Sequence, residues 1–204
     1  MVEKMKKSLV VAIIVLMLLP TQLLQVFAVS EGDNPYLKRG SLGDYTVQFD
    51  AGGYWVYISY NIVTYTDSDG VERVAYCVTP DTPGIEWTNG SVEGYNVNIT
   101  QVLQNDELWR VMRHGYPYAT PAQMGVETEQ DAYLATKLAI QCILLGRPTS
   151  QIRTYYRGGQ DPVAGLRLAD ITRRGNKVVD AIYNLVNYAR TSNETVFHYL
   201  FLHN

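Results

Sequence analysis

"TEQDAYLATKLAIQCILLG", Thr128 to Gly146, is the stretch on which the reading of this chain turns. It has the grammar of a helix. Thr128 can cap the first turn, with Asp131 three residues on in a variant of the capping box, and Gly146 followed by Pro148 closes the last. On a wheel of about 100° per residue, Lys137 shares its face with Tyr133, Leu134, Ile140, Gln141 and Leu144. Ala135, Ala139 and Cys142 lie opposite. Both faces are apolar, and a helix apolar all round is a buried one. An unpaired buried ammonium costs on the order of several kcal/mol, as much as the margin of a whole domain. Lys137 therefore either snorkels to water along its stem or sits in a polar pocket.

Outward from that helix, the two halves of the chain read differently. Upstream, from Asp44 to about Thr100, the pattern is β: "DYTVQFD", "GGYWVYISYNIVTY" and "VERVAYCV" are rich in aromatic and β-branched residues. "TDSDG" (Thr66–Gly70) supplies turn chemistry, so the runs on either side of it form a hairpin. "TPDTPG" then stops the strand that ends at Cys77, and "NGSVEGYNVNIT" suits a short strand pair. Downstream of Glu107 the pattern is helical. "NDELWRVMRHGYP" is a short helix with acidic residues in its first turn, ended by Gly115 and Pro117. "YYRGGQDPVAG" is a loop. "GLRLADITRRGNKVVDAIYNLVNYAR" is a last amphipathic helix with Val178, Ile182, Leu185 and Val186 on its apolar stripe. The fold class is α+β, a β-rich barrel or sandwich half followed by a helical half in one domain.

The N-terminus has the layout of an export signal. Lys4, Lys6 and Lys7 precede the apolar run Leu9–Leu19, and Val26–Ala28 offers a cleavage site, so residues 1–28 read as a signal peptide. The alternative is an uncleaved anchor, interrupted by Pro20, Thr21, Gln22 and Gln25. Residues 29–43 form an N-terminal segment and 44–204 the domain. Cleavage removes three lysines and one glutamate, a net +2, and moves the formal charge from −3 to −5. An acidic exported domain lacks the basic patch that nucleic acid or anionic lipid requires. The only membrane contact expected is through an uncleaved signal segment.

Two cysteines remain, Cys77 and Cys142, and in an oxidising compartment a pair suggests a disulfide. Cys142 points about 140° away from Lys137 around the helix axis. A Cys77 facing Lys137 would then be out of bridging range of Cys142, since bridged α-carbons lie within about 7 Å. The two roles for Cys77 compete.

Three short motifs, in order, resemble a known family. Tyr76-Cys77-Val78 stands at a strand end, His114-Gly115-Tyr116-Pro117 follows, and Thr136-Lys137-Leu138-Ala139-Ile140-Gln141 lies on the long helix. They are similar to the motifs of the thioester domains of Gram-positive surface adhesins, which carry an aromatic-Cys-apolar strand end and a helical Thr-Gln-x-Ala-apolar-Trp. Thr136 and Ala139 match that pattern. Lys137 stands at the glutamine position and Gln141 at the tryptophan position. An intervening apolar-Gln-x-x-apolar motif falls on Leu108-Trp109-Arg110-Val111-Met112, with Trp109 in place of glutamine.

The resemblance implies an exported or cell-surface adhesion domain whose partner is a host or environmental protein, with no cofactor, no metal and no enzyme activity beyond self-modification. In that family the cysteine thiol and the glutamine amide condense to a buried thioester, an activated acyl donor shielded from water until an amine arrives. A lysine has no carboxamide, so Lys137 implies a member degenerate for covalent attachment. Gln141, one turn on, is a substitute donor, and a direct Cys77–Lys137 pairing that lowers the thiol pKa is a third outcome. The alternative to the family reading is a secreted protein- or carbohydrate-binding module stapled by Cys77–Cys142.

Other features carry less. His114 could serve Cys77 as a base, or be incidental to the Gly-Tyr-Pro turn. His198 and His203 make no metal cluster with it. Sixteen tyrosines, many of them between Tyr54 and Tyr76, either line a core or present a binding surface.

Overall fold

A computed structural model describes residues 36–66, 70–76, 95–96, 105–155 and 168–195, with the backbone path alone for Ser41, Leu42, Tyr95, Asn96 and Leu168. Among the described residues, seven strands make two antiparallel sheets. β1 (Tyr36–Leu42), β4 (Asn61–Thr66), β5 (Glu72–Ala75) and β6 (Tyr95–Asn96) form a sheet in the order β5-β4-β1-β6. β2 (Val47–Asp50), β3 (Trp55–Ile58) and β7 (Ile152–Thr154) form the other, in the order β3-β2-β7. Three helices follow among the described residues: α1 (Asp106–His114), α2 (Glu129–Leu144) and α3 (Leu168–Thr191), with a 3-10 turn at Thr149–Gln151. The α+β class stands, as two separate sheets rather than a closed barrel.

The hairpin read across Thr66–Gly70 forms: Val63 pairs with Ala75 and Thr66 with Glu72. The run "GGYWVYISYNIVTY" is a different matter. It splits at Ser59 and Tyr60 into β3 and β4, which belong to different sheets. The break is tied to the β1–β2 junction. Gly43 N–H donates to Tyr60 O at 3.3 Å, the Ser59 hydroxyl donates to Gly43 O, and Asn61 Nδ2 donates to Gly40 O at 2.6 Å. The chain thus turns two corners side by side and delivers Tyr60 toward the helices. A second departure lies in the helical half, where Ile152–Thr154 pairs with β2 and completes the smaller sheet.

The helices start where their caps place them. Asn105 Oδ1 accepts from Leu108 N at 2.8 Å, and Thr128 Oγ1 accepts from Asp131 N at 3.1 Å. Gly146, at φ +62°, takes the left-handed conformation just beyond α2. α2 is buried without interruption from Asp131 to Cys142, as a helix apolar on both faces should be. α3 lies along it with Val178, Ile182, Leu185 and Val186 in the core. Gly175 lets α3 meet the smaller sheet: a Cβ there would lie 2.2 Å from Thr46 O and 2.7 Å from Thr154 Cγ2.

A buried ion cluster locks these parts together. Arg174 on α3 makes a two-pronged contact with Asp131 (Nε to Oδ2 and Nη2 to Oδ1, both 3.0 Å) and donates from Nη1 to Asp44 Oδ2 at 2.6 Å. Asp131 therefore does not complete a capping box with its side chain. Its carboxylate serves Arg174.

Candidate functional site

The motif threonine is a docking point. Thr136 Oγ1 donates to Ala132 O at 2.8 Å and accepts from Tyr116 N at 2.9 Å, so the Gly-Tyr-Pro turn hangs on α2 beside Lys137. Gly115 is required by that approach. A Cβ there would stand 2.5 Å from Thr136 Cγ2 and 2.8 Å from Val111 O. Tyr116–Pro117 is a cis peptide bond.

β5 arrives one turn earlier on the same helix. Tyr133 donates its hydroxyl to Ala75 O at 2.9 Å, and the Tyr76 ring stacks on the Tyr133 ring, centroids 4.8 Å apart and 16° between planes. The Tyr76 hydroxyl in turn donates to Tyr116 O. Burial and the neighbouring Tyr133 phenol hold the Tyr76 hydroxyl well above the usual tyrosine range, against an opposing hydrogen bond with Thr136. Strand end, turn and helix thus meet in one aromatic knot.

Lys137 is buried, 8% exposed, so it does not snorkel. Its Nζ lies 3.7 Å from the centroid of the Tyr60 ring. Gln141, one turn on, faces the same residue, with Oε1 3.5 Å and Nε2 3.4 Å from the Tyr60 hydroxyl. Ala139 is fully buried in the helix core.

On the far side of α2, Cys142 is a free and buried thiol. Burial pushes it up to about 11, against the opposing charges of Arg190 and Arg147. A thiol held that high stays protonated and inert. Cys142 makes no disulfide among the described residues, and Cys77, its partner in the alternative reading, lies outside them. Cys142 points away from the Lys137 face and packs into the core.

Residues 74–191 of the chain match the family model of the thioester domain. The chain belongs to the thioester domain family. Two solved structures are similar in fold. The Bacillus anthracis TIE protein shares 18% identity, covers 80% of this chain and 25% of that one, and aligns with a TM-score of 0.54. The thioester domain of the Enterococcus faecium TIE86 protein shares 18%, covers 82% of this chain and 54% of that one, at a TM-score of 0.56. The chain spans a quarter of the first and about half of the second. No curated protein matches it.

Within this thioester domain the structure joins Tyr76 to Thr136 through Tyr116, and Lys137 to Gln141 through Tyr60. Cys77 and Val78 lie outside the described residues, as do residues 1–28, His198 and His203. His114 belongs to another cluster. Its Nε2 is 2.9 Å from Glu194 Oε2, and its ring sits 4.3 Å from that of Tyr188. Arg110 donates to the backbone oxygens of Ala189 and Glu194, fastening the chain beyond α3 onto α1. Trp109 lies under the Arg113 guanidinium at 5.3 Å. No group of metal ligands occurs among the described residues, and no described helix is long and apolar enough to cross a membrane.

Sequence reasoning missed Tyr60, Arg174 and Glu194. Arg174 had a readable signal, a charge beside Ile171, Gly175 and Val178 on the buried stripe of α3. Tyr60 had none, because nothing in its aromatic run marks the corner.

Proposed function

We propose that this thioester domain is an exported, cell-surface adhesion module that holds a host or environmental protein without a covalent bond, because Lys137 stands at the acyl-donor position. The observation that carries this reading is the seating of the strand end. Tyr76, the residue before Cys77, stacks on Tyr133, and Lys137 is one helical turn beyond. One turn from Tyr133 is about 6 Å along the axis and two turns about 12 Å, which favours Lys137 over Gln141 as the residue opposite the cysteine. Thr136, docked on the Gly-Tyr-Pro turn, supports the same register. To form the family's bond, a thiol adds to a carboxamide carbonyl, the C–N bond breaks, and ammonia leaves with the thiol proton. Lys137 offers no carbonyl to that step. Such modules modify themselves rather than turn over substrate, and here that step is lost. The leader read at residues 1–28 supports the export in this reading.

Intact mass before and after methylamine tests the reading. The exported form should have its full mass and ignore methylamine. Lys137→Gln should run short by one ammonia and recover that mass as a methylamine adduct, an effect abolished by adding Cys77→Ala. A wild-type chain already short by one ammonia would make Gln141, or another amide, the donor. An inert Lys137→Gln would break the register.

A further inference from the structure

We propose that the face of the Tyr60 ring turned toward α2 is an ammonium-binding site, which in this chain Lys137 fills from within. The ligand class is a primary alkylammonium. This stands apart from the acyl-donor question, since the contact between Tyr60 and Lys137 holds whichever residue could meet Cys77.

The site follows from the corner between the sheets. Tyr60 O accepts from Gly43 N, and the adjoining Ser59 and Asn61 side chains fasten to Gly43 O and Gly40 O. The backbone at residue 60 is thereby fixed at both flanks. At its other end, the phenol hydroxyl lies within 3.5 Å of both polar atoms of the Gln141 amide. A ring held at both ends presents one face, and the ammonium is on it. The 3.7 Å separation from the centroid is well inside the about 6 Å at which an aromatic quadrupole attracts a cation. With Lys137 only 8% exposed, water competes weakly, and that is where such contacts are strongest. Tyr suits the task better than an aliphatic side chain, because its ring face offers negative potential without bringing a second charge into the core.

The site has a consequence for the domain. With lysine at 137 its own amine is the occupant, and an amine from outside finds the ring taken. A shorter, uncharged residue at 137 leaves the ring face open to an external ammonium.

Two experiments on the full chain test this. First, acetylation by an N-hydroxysuccinimide ester is followed by peptide mass mapping, with the exposed Lys38 as internal reference and Cys142 alkylation as the report on fold. Lys137 should be protected in wild type and in Tyr60→Phe, which keeps the ring. In Tyr60→Leu it should label about tenfold faster while Cys142 stays unalkylated. Equal labelling in wild type and Tyr60→Leu, or equal acceleration in Tyr60→Phe and Tyr60→Leu, would overturn the proposal. Should Cys142 open in Tyr60→Leu, the second experiment decides. Lys137→Ala removes the propylammonium portion of the side chain. Its melting temperature should rise with added n-propylammonium and not with n-propanol. Wild type and Lys137→Ala/Tyr60→Leu should show no such rise. A Lys137→Ala protein indifferent to n-propylammonium, or a double variant that responds equally, would sink the site.

Discussion

Among the described residues two buried cations meet α2, and the protein accommodates them in different ways. Arg174 reaches the first turn from α3 and finds two carboxylates, Asp131 and Asp44. Lys137 grows from the middle of the helix and lies over a tyrosine ring. The chemistry of the two side chains explains the division. A planar guanidinium matches a carboxylate with two parallel hydrogen bonds, whereas an ammonium is a compact point charge that a ring face can hold. Burial alone would lower the Arg174 pKa, but the hydrogen bonds and charges of Asp131 and Asp44 outweigh it and raise the group further above its ordinary value. The first cluster ties α3, the start of α2 and the approach to β2 into one body. The second lies beside the motif threonine.

That contrast can be broken at either end. The largest effect belongs to Asp131→Ala, which leaves Arg174 buried with only the half-exposed Asp44. A loss of about 3–5 kcal/mol is expected for a stranded buried charge, read from urea unfolding. A loss under about 1 kcal/mol would mean that Asp44 alone suffices. Next comes Tyr60→Leu, expected to cost about 2 kcal/mol through the desolvated cation–π contact, with Tyr60→Phe costing markedly less in the same assay. Thr128→Ala follows at about 1 kcal/mol, since Thr128 caps α2 and also lies 3.4 Å from Arg174 Nη2.

The smallest effect tests a surface ion cluster against both buried ones. Burial pushes the Glu194 carboxyl up, but hydrogen bonds from His114 and Tyr188 and the charges of His114 and Arg113 together outweigh it and hold it below its usual value. A depressed carboxylate pKa stabilises the fold above the unfolded value, about 4.3, and that contribution fades as pH falls through the folded value. The gap in melting temperature between wild type and Glu194→Gln should therefore be present at neutral pH and close as pH drops below about 4. A gap that persists at low pH would assign the effect to shape rather than charge.

Much of the helical half was legible because its signals are local. Asn105 and Thr128 cap, Gly146 ends α2, and the stripe of α3 is buried where its spacing puts it. The β half was legible as strands from Asp44 onward and not as sheets, while β1 (Tyr36–Leu42), which pairs with β4 and β6, lies in the segment 29–43 that reads as preceding the domain. An aromatic, β-branched run suits any pleated surface, so Tyr54–Tyr65 gives no sign that its halves pair with different partners. The strand at Ile152–Thr154 was hidden for the same reason, since its partner β2 lies far upstream. At the candidate site, Thr136 was named from the motif, but its contact with Tyr116 N came only from packing.

The sequence by itself determined that α2 is buried on every side, because that follows from its own composition, and left open whether Lys137 would snorkel out or stay inside. What answers that cation was decided by tertiary structure. Tyr60 comes from a distant corner where the chain leaves one sheet for the other, and a partner supplied across such a distance leaves no periodicity for a sequence to show.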